Sequence, residues 1–172
     1  MKKGALSRTA ILGLMKASPP LIEGCLDPEV QAQPNGFDLT LRNARGFSGP
    51  GAVDFSNKRR VISPTEPVLF NKGDQVHLGP GAYMVTFNEV VNLPLDLMAI
   101  GRTRSSLLRC GVALHTAVWD AGYCGRSESL MEVYNPSGFV LMRDARIMQL
   151  VFFWLDEAAD KGYSGKFLGE NI

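Results

Sequence analysis

Three arginines surround a pair of serines in the middle of the chain. Arg102, Arg104 and Arg109 flank Ser105-Ser106. Guanidinium groups and serine hydroxyls are donors that suit phosphate oxygens, so this segment could hold a phosphate chain. The same pattern is typical of a short polar helix with a solvated face. Charge and spacing alone slightly favour the helix.

An acidic residue lies beyond this segment, in the run Trp119-Asp120-Ala121-Gly122-Tyr123. An aspartate before a glycine-containing turn can simply form the turn. It can also act as a general base at the rim of a pocket, beside an aromatic ring that packs against a flat ligand. The residues by themselves leave both interpretations open.

The sequence lacks the motifs of the common nucleotide folds and of zinc hydrolases. It has no GxxxxGK[ST] loop, no GxGxxG turn between a strand and a helix, and no HExxH. His77 and His115 have no cysteine or carboxylate at metal-ligand spacing, which favours a packing or surface role. A net charge of +1 argues against a broad nucleic-acid-binding face.

The cysteines are odd in number and form no CxxC pair: Cys25, Cys110 and Cys124. This pattern argues against a disulfide framework and against a structural zinc site. It favours a reducing, cytoplasmic setting in which each thiol is a small buried hydrophobe.

The elements that must position these residues are predicted to be strands of one domain, residues 1–172. Glycine and proline turns separate short apolar runs, a pattern typical of an all-β sandwich or barrel. The predicted strands are Phe37–Leu41, Val68–Phe70, Gln75–Leu78, Tyr83–Phe87 and Leu97–Ile100, with a longer buried strand over Ile147–Leu155.

The two ends of the chain are predicted to differ from its strand-rich middle. Residues 1–20 are expected to contain a short helix with Ser7 as its N-cap. No apolar stretch is long enough to span a bilayer. Residues 156–172 are polar and glycine-rich, as expected of a flexible arm or of a lid over a ligand.

The order of the motifs resembles the dUTPase / dCTP deaminase superfamily, and most of all its archaeal dUTPases. The central match is Arg104-Ser105-Ser106 followed by Asp120-Ala121-Gly122-Tyr123 and Gly125. Asn35–Leu39 is similar to the early "GxDL" motif, and Arg146–Leu150 to the late "RxxQL" motif. Gly162–Phe167 is similar to the C-terminal "YxGKY" arm.

This resemblance implies a fold, an assembly and a reaction. The fold is a distorted β-barrel or jelly roll, assembled as a homotrimer with active sites at subunit interfaces. The reaction is hydrolysis of dUTP to dUMP and pyrophosphate, which limits uracil in DNA and supplies dUMP for thymidylate synthesis. Mg²⁺ would be carried by the triphosphate, with no direct protein ligands. Neither a nucleic-acid nor a membrane partner is implied.

The resemblance also implies roles for individual residues. Asp120 would be the general base, and Tyr123 would pack on the deoxyribose and exclude a 2′-hydroxyl. Asp38 would act structurally or through water near the metal. The remaining substrate contacts are implied to be Arg104, Ser105, Ser106, Arg109 and Gln149, together with Tyr163, Lys166 and Phe167 on the arm.

Deamination of dCTP is the second reaction of the superfamily, and it uses a glutamate beside the base. Glu132 stands two residues before Tyr134-Asn135, as that glutamate does. The interval from Arg109 to Asp120 is shorter than in the deaminases, however, and the stretch from Gly125 to Glu132 is longer. Strand periodicity also predicts that Glu132 faces solvent.

The hypotheses are therefore ranked. A dUTPase comes first, and a deaminase or bifunctional enzyme comes second. A non-enzymatic, oligomeric β-barrel binding module comes third, favoured by the ordinary charge and the lack of a dense catalytic cluster.

Overall fold

The computed structural model describes residues 4–172 and consists mostly of strands. The helices are α1 (Arg8–Leu14), α2 (Pro28–Gln31) and α3 (Ser105–Arg109). The strands are β1 (Ile22–Glu23), β2 (Ala32–Gln33), β3 (Gly36–Phe47), β4 (Thr65–Pro67), β5 (Gln75–Leu78), β6 (Gly81–Phe87), β7 (Val90–Asn92), β8 (Leu97–Thr103), β9 (Val112–His115), β10 (Val118–Trp119), β11 (Cys124–Gly125), β12 (Glu128–Val133), β13 (Phe139–Met142) and β14 (Arg146–Trp154). This content confirms the all-β prediction with a short N-terminal helix.

The main sheet curls around β3. Its strand order is β10-β8-β14-β3-β6-β12-β9, with β2 and β4 also paired to β3. The first half of β3 pairs with β14 and the second half with β6. A register shift in the pairing with β6 lies between Leu41 and Asn43, close to the point where the partner strand changes. Because an irregularity of this kind bends a strand, the sheet curls into a half-barrel, which confirms the distorted-barrel prediction.

The hydrophobic core follows strand alternation. In β12, Ser129, Met131 and Val133 are buried, whereas Glu128 and Glu132 on the other face are partly exposed. Burial of each large apolar side chain contributes about 1.5–3 kcal/mol. Glu132 therefore lies on the face of β12 opposite the core, as strand periodicity predicts.

Helix α1 closes one side of the core. Ser7 caps it as predicted, since its side chain accepts a hydrogen bond from the Ala10 amide at 3.4 Å. Ile11 is its buried residue. The Leu6 amide donates to the Phe152 carbonyl at 2.9 Å, which ties the start of the chain to β14. The first three residues of the predicted segment 1–20 lie outside the described residues. No helix within residues 4–172 is long and apolar enough to cross a membrane.

One predicted strand is wrong. Val68–Phe70 does not form a strand, because β4 ends at Pro67 and only the Val68 amide continues the pairing, to the Ala44 carbonyl. Phe70 instead packs under the Arg143 guanidinium, 4.7 Å from the ring centroid. The other predicted strands are present. Gln75–Leu78 has the predicted bounds, and the buried strand predicted over Ile147–Leu155 is β14, one residue earlier at each end.

The three cysteines are free thiols. Cys25 and Cys124 are half-buried, but Cys110 is exposed, so the prediction of a buried thiol is wrong at Cys110. The physical reason is its position, because Cys110 is the C-cap of α3, a short helix that has one buried residue.

Candidate active site

A cavity of about 400 Å³ opens where β10, the start of β12 and the C-terminal segment meet. Four of the residues singled out from the sequence line it: Asp120, Tyr123, Tyr163 and Phe167. Its volume lies within the range of small-molecule sites. The structure thus brings the predicted base and the predicted sugar and arm contacts together in one place.

The turn from Asp120 to Tyr123 fixes the predicted base at the end of β10. The Tyr123 amide donates to the Asp120 carbonyl at 3.1 Å, and Gly122 has a φ of +80°. A positive φ at the third position is what a type II turn requires, and glycine adopts it without strain. Leu93 holds the turn from the other side by reciprocal backbone bonds of 2.8 and 3.1 Å to Tyr123 and Gly122. The Asp120 side chain is therefore exposed, but its backbone is anchored.

Tyr123 forms part of the cavity wall. It is buried and meets the Tyr163 ring edge-on, with centroids 5.8 Å apart and planes at 63°. Its hydroxyl donates to the Glu170 carboxylate at 2.8 Å. Burial raises the pKa of Tyr123 strongly, and the bond to Glu170 acts in the same direction. The phenol therefore stays protonated, and it offers the cavity a flat, neutral surface.

The C-terminal segment packs against this turn within the same chain. The Tyr163 amide donates to the Ala121 carbonyl at 2.8 Å, and the Gly169 amide to the Cys124 carbonyl at 2.7 Å. Gly162 lies so close to Gly122 that a Cβ on Gly122 would stand 2.6 Å from the Gly162 Cα. The segment is thus placed over the cavity, and its flexibility stays a prediction.

A second group of predicted residues lies at the facing ends of β3, β8 and β14. Arg104 contacts Asp38 at 2.9 Å, and Arg146 contacts the same carboxylate at 3.3 Å. Gln149 pairs with Asp38 across the ladder between β14 and β3. Burial raises the pKa of Asp38, against the lowering effect of the two arginines. Asp38 therefore binds and orients two cations, and this group does not line the cavity.

Helix α3 carries the remaining predicted phosphate contacts. Its buried Leu107 anchors it, while Ser105, Ser106 and Arg109 are exposed. None of these three lines the cavity that contains Asp120. The short polar helix predicted from the spacing is present, and its exposed donors remain available to a ligand.

Two cations stand at the rim of the cavity beside Phe167. The Lys166 ammonium is 6.0 Å and the Arg60 guanidinium 5.8 Å from the centroid of that ring. Lys166 was predicted from the sequence, but Arg60 was not. The basic run Lys58-Arg59-Arg60 is the sequence feature that could have indicated Arg60, but it belongs to no recognisable motif.

The two glutamates of β12 occupy different surroundings. Glu132 accepts from the Tyr134 hydroxyl at 2.7 Å, lies 3.5 Å from His115, and does not line the cavity. Glu128 does line it, although no motif indicates a role for this residue. Its carboxylate forms an ion pair with Arg45 and accepts from the Thr86 hydroxyl at 3.2 Å.

Comparisons with known proteins show the family of the chain. A family model described as dCTP deaminase-like matches residues 5–155. The chain belongs to the dCTP deaminase-like family. A relative of this dCTP deaminase-like chain in Methanosarcina mazei, named probable deoxyuridine 5′-triphosphate nucleotidohydrolase, is 52% identical over 96% of this chain and 97% of its own length. A relative in Archaeoglobus fulgidus with the same name is 52% identical over 88% of this chain and 89% of its own.

A third relative carries the name without the qualifier. The deoxyuridine 5′-triphosphate nucleotidohydrolase of Methanocaldococcus jannaschii is 39% identical over 72% of this chain and 79% of its own length. Among solved structures, the 2′-deoxycytidine 5′-triphosphate deaminase of Agrobacterium tumefaciens superposes with a TM-score of 0.66 at 21% identity. That match covers 90% of the dCTP deaminase-like chain and 50% of the deaminase chain, and it supports the fold.

Proposed function

We propose that this protein hydrolyses dUTP to dUMP and pyrophosphate. One observation carries the proposal. Asp120 stands exposed at a cavity whose wall contains Tyr123, in a chain 52% identical over nearly its full length to a relative named probable deoxyuridine 5′-triphosphate nucleotidohydrolase.

Asp120 would act as the general base. Its carboxylate accepts a proton from a water molecule, and the water oxygen forms a bond to the α-phosphorus. The bond from that phosphorus to the bridging oxygen breaks, and pyrophosphate leaves with the bonding electron pair. The anchored turn around Gly122 supports this role, because a base must be held within hydrogen-bond reach of the proton that it removes.

Tyr123 would select the sugar. Its buried ring lies in the cavity wall and is braced by Tyr163 and Glu170. A deoxyribose can pack against this surface, whereas a 2′-hydroxyl would meet a rigid aromatic face. Discrimination against UTP is therefore steric.

The phosphate contacts would come from a neighbouring copy in a homotrimer. Two observations support this part of the proposal. Arg104, Ser105 and Gln149 do not line the cavity of their own chain. Large apolar side chains are also exposed at Val53 and Leu69, as expected of surfaces that meet another subunit. On the chain's own arm, Lys166 and Phe167 would close over the phosphates and the base.

The donor set suits Mg²⁺ that arrives on the triphosphate. No group of three His, Cys, Asp or Glu side chains within residues 4–172 is arranged to hold a metal ion. The exposed Asp120 carboxylate can accept hydrogen bonds from metal-bound water, and Asp38 is already bound by Arg104 and Arg146. When bound, Mg²⁺ would neutralise charge that develops on the phosphate oxygens.

A reducing compartment, the cytoplasm, is part of the same proposal. The three free thiols and the kind of substrate support it. Neither a nucleic-acid nor a membrane partner is proposed.

Product analysis tests the reaction. The protein is incubated with Mg²⁺ and, separately, with dUTP and dCTP, and the products are separated by chromatography. We expect dUMP and pyrophosphate from dUTP and no change in dCTP. Conversion of dCTP to dUTP or dUMP would instead establish the deaminase alternative. Glu128 would then be the first residue to test, because it lines the cavity and Glu132 does not.

The variant Asp120→Asn tests the base, since it keeps the shape of the side chain but removes its basicity. We expect hydrolysis to be abolished and a non-hydrolysable dUTP analogue to bind almost as well as to the wild type. Wild-type turnover in this variant contradicts the assignment.

Sedimentation of the pure protein tests the assembly. We expect a trimer. A monomer that retains full activity excludes a shared site.

A further inference from the structure

Three residues that line the cavity each carry a buried polar side-chain atom with no hydrogen-bond partner among residues 4–172. These atoms are the indole Nε1 of Trp119 and the hydroxyl oxygens of Ser127 and Ser129. The exposed fractions of these residues are 4%, 5% and 3%. Two further orphaned atoms in the described part of the chain, Asn43 Oδ1 and Arg45 Nε, lie on β3.

Orphaned polar groups are unfavourable in a protein interior. Each one gives up its hydrogen bonds to water on folding and gains none in return. Most buried polar side chains in folded proteins are therefore paired. When three residues that line one cavity carry such atoms, a ligand that supplies the missing partners explains them together.

Strand alternation places the two serines where apolar side chains would be expected. Ser127 and Ser129 continue the buried face of β12 that Met131 and Val133 also form. Trp119 is the buried residue of β10 and directly precedes Asp120. The three residues therefore line the same cavity as the proposed base, with Trp119 on β10, Ser129 on β12 and Ser127 just before β12.

We propose that Trp119, Ser127 and Ser129 form a polar wall that recognises the hydrogen-bonding edge of the pyrimidine and favours uracil over cytosine. This inference rests on the proposed dUTP hydrolysis and adds the groups that read the base. The deoxyribose would lie against Tyr123, and the base would extend toward the polar wall.

The donor and acceptor chemistry of the three groups gives the preference its direction. An indole N–H can only donate, whereas a serine hydroxyl can rotate and can donate or accept. Uracil presents a carbonyl, an N–H and a second carbonyl along its edge. One hydroxyl accepts from that N–H, and the indole and the other hydroxyl donate to the carbonyls. Cytosine carries an amino group at the 4-position. This amino group would face the indole N–H, and because both are donors, neither would have a hydrogen-bond acceptor.

Alanine variants of the serines separate a binding role from a structural one. Ser129→Ala and Ser127→Ala remove hydroxyls that have no partner in the free protein. We expect the melting temperature of each variant to stay the same or to rise. We expect KM for dUTP to increase about fivefold to tenfold, with kcat changed less than about twofold.

Trp119→Phe tests the base preference. It removes the indole N–H while retaining an aromatic ring. Calorimetric titration with dUMP and with dCMP should show that the preference for dUMP falls by about tenfold. Ser137→Ala, at an exposed position in the turn before β13, is the matched serine control and should leave both constants unchanged.

The outcomes distinguish this inference from the proposed function. If the wild-type protein neither hydrolyses dUTP nor binds dUMP, the proposed function fails and the polar wall fails with it. If the wild-type protein does both, but Ser127→Ala and Ser129→Ala keep its affinity for dUMP, only the polar wall is refuted. A lower melting temperature with unchanged KM would show that the hydroxyls serve the fold, which also overturns the inference.

Discussion

Replacement of Gly122 by alanine should separate the C-terminal segment from the turn that carries Asp120. Gly122 has a φ of +80°, which an alanine adopts only with strain. Its added Cβ would stand 2.6 Å from the Gly162 Cα and 3.1 Å from the Tyr163 amide nitrogen. Both contacts are to backbone, which cannot rotate away as a side chain can.

The expected size of the effect has two parts. The left-handed conformation costs alanine about 1–2 kcal/mol relative to glycine, which lowers the melting temperature of a chain of this length by roughly 2–8 °C. The steric overlap requires the C-terminal segment to retreat by about 1 Å to reach an ordinary van der Waals separation. Tyr163 then loses its 2.8 Å bond to the Ala121 carbonyl, and the cavity loses part of its wall.

The assay combines dUTP turnover, limited proteolysis after Lys161 and Lys166, and thermal unfolding at a fixed protein concentration. We expect turnover to fall by about tenfold to a hundredfold, because displacements near 1 Å cost that much when they misplace a catalytic site. Cleavage of the segment should become faster. Gly24→Ala is the matched control, since Gly24 has a φ of +69° and its nearest contact would be the Asn88 carbonyl at 3.3 Å.

Gly24→Ala should give a similar thermal shift with normal turnover. If Gly122→Ala shows the same behaviour as this control, with normal turnover and normal resistance to protease, the reasoning is refuted. The contact between the two glycines would then not hold the segment over the site.

Three further predictions concern the rim and the arm. Arg60→Ala should raise KM for dUTP about threefold to tenfold because it removes a cation at the rim of the cavity. An equal effect of Arg59→Ala would show that overall positive charge, and not the position of Arg60, is responsible. Burial raises the pKa of Glu170 above 4.5. The contribution of Glu170 to the packing of the arm against Tyr123 is therefore fully present below pH 4.5, and it is lost as pH rises through the raised pKa. Glu170→Gln, which can still accept from Tyr123, should remove this pH dependence from the amide resonances of the arm, and an unchanged profile would exclude Glu170 as its origin. Deletion of residues 161–172 should lower turnover more than stability, and equal losses would make the arm structural.

The strand pattern could be predicted from the sequence wherever turn residues bound an apolar run on both sides. Gln75–Leu78 lies between Asn71-Lys72-Gly73-Asp74 and Gly79-Pro80-Gly81, and its bounds were correct. Val68–Phe70 has the same apolar character, but Pro67 ends β4 just before it. Apolar composition reports that a residue is buried, and it does not report whether the backbone joins a ladder.

The candidate site could be predicted only in part, for a related reason. Asp120, Tyr123 and the arm belong to short motifs, so the sequence identified them. The pairing of Glu128 with Arg45 joins residues 83 positions apart, and that of Glu170 with Tyr123 joins residues 47 positions apart. These contacts depend on how the sheet curls and where the arm returns, which periodicity does not encode. The same limit applies to Trp119, Ser127 and Ser129, because their lack of partners is visible only in three dimensions.

The pairing of β10 with β8 sets how the segment before Asp120 can change in evolution. Val118 pairs with Ile100 and Trp119 with Ala99, so Val118 faces solvent and Trp119 the interior. A single inserted or deleted residue between His115 and Val118 would exchange these two faces and move the carboxylate by about 3.3 Å along the strand. Functional descendants of this chain should therefore vary here in residue type while keeping the same number of residues.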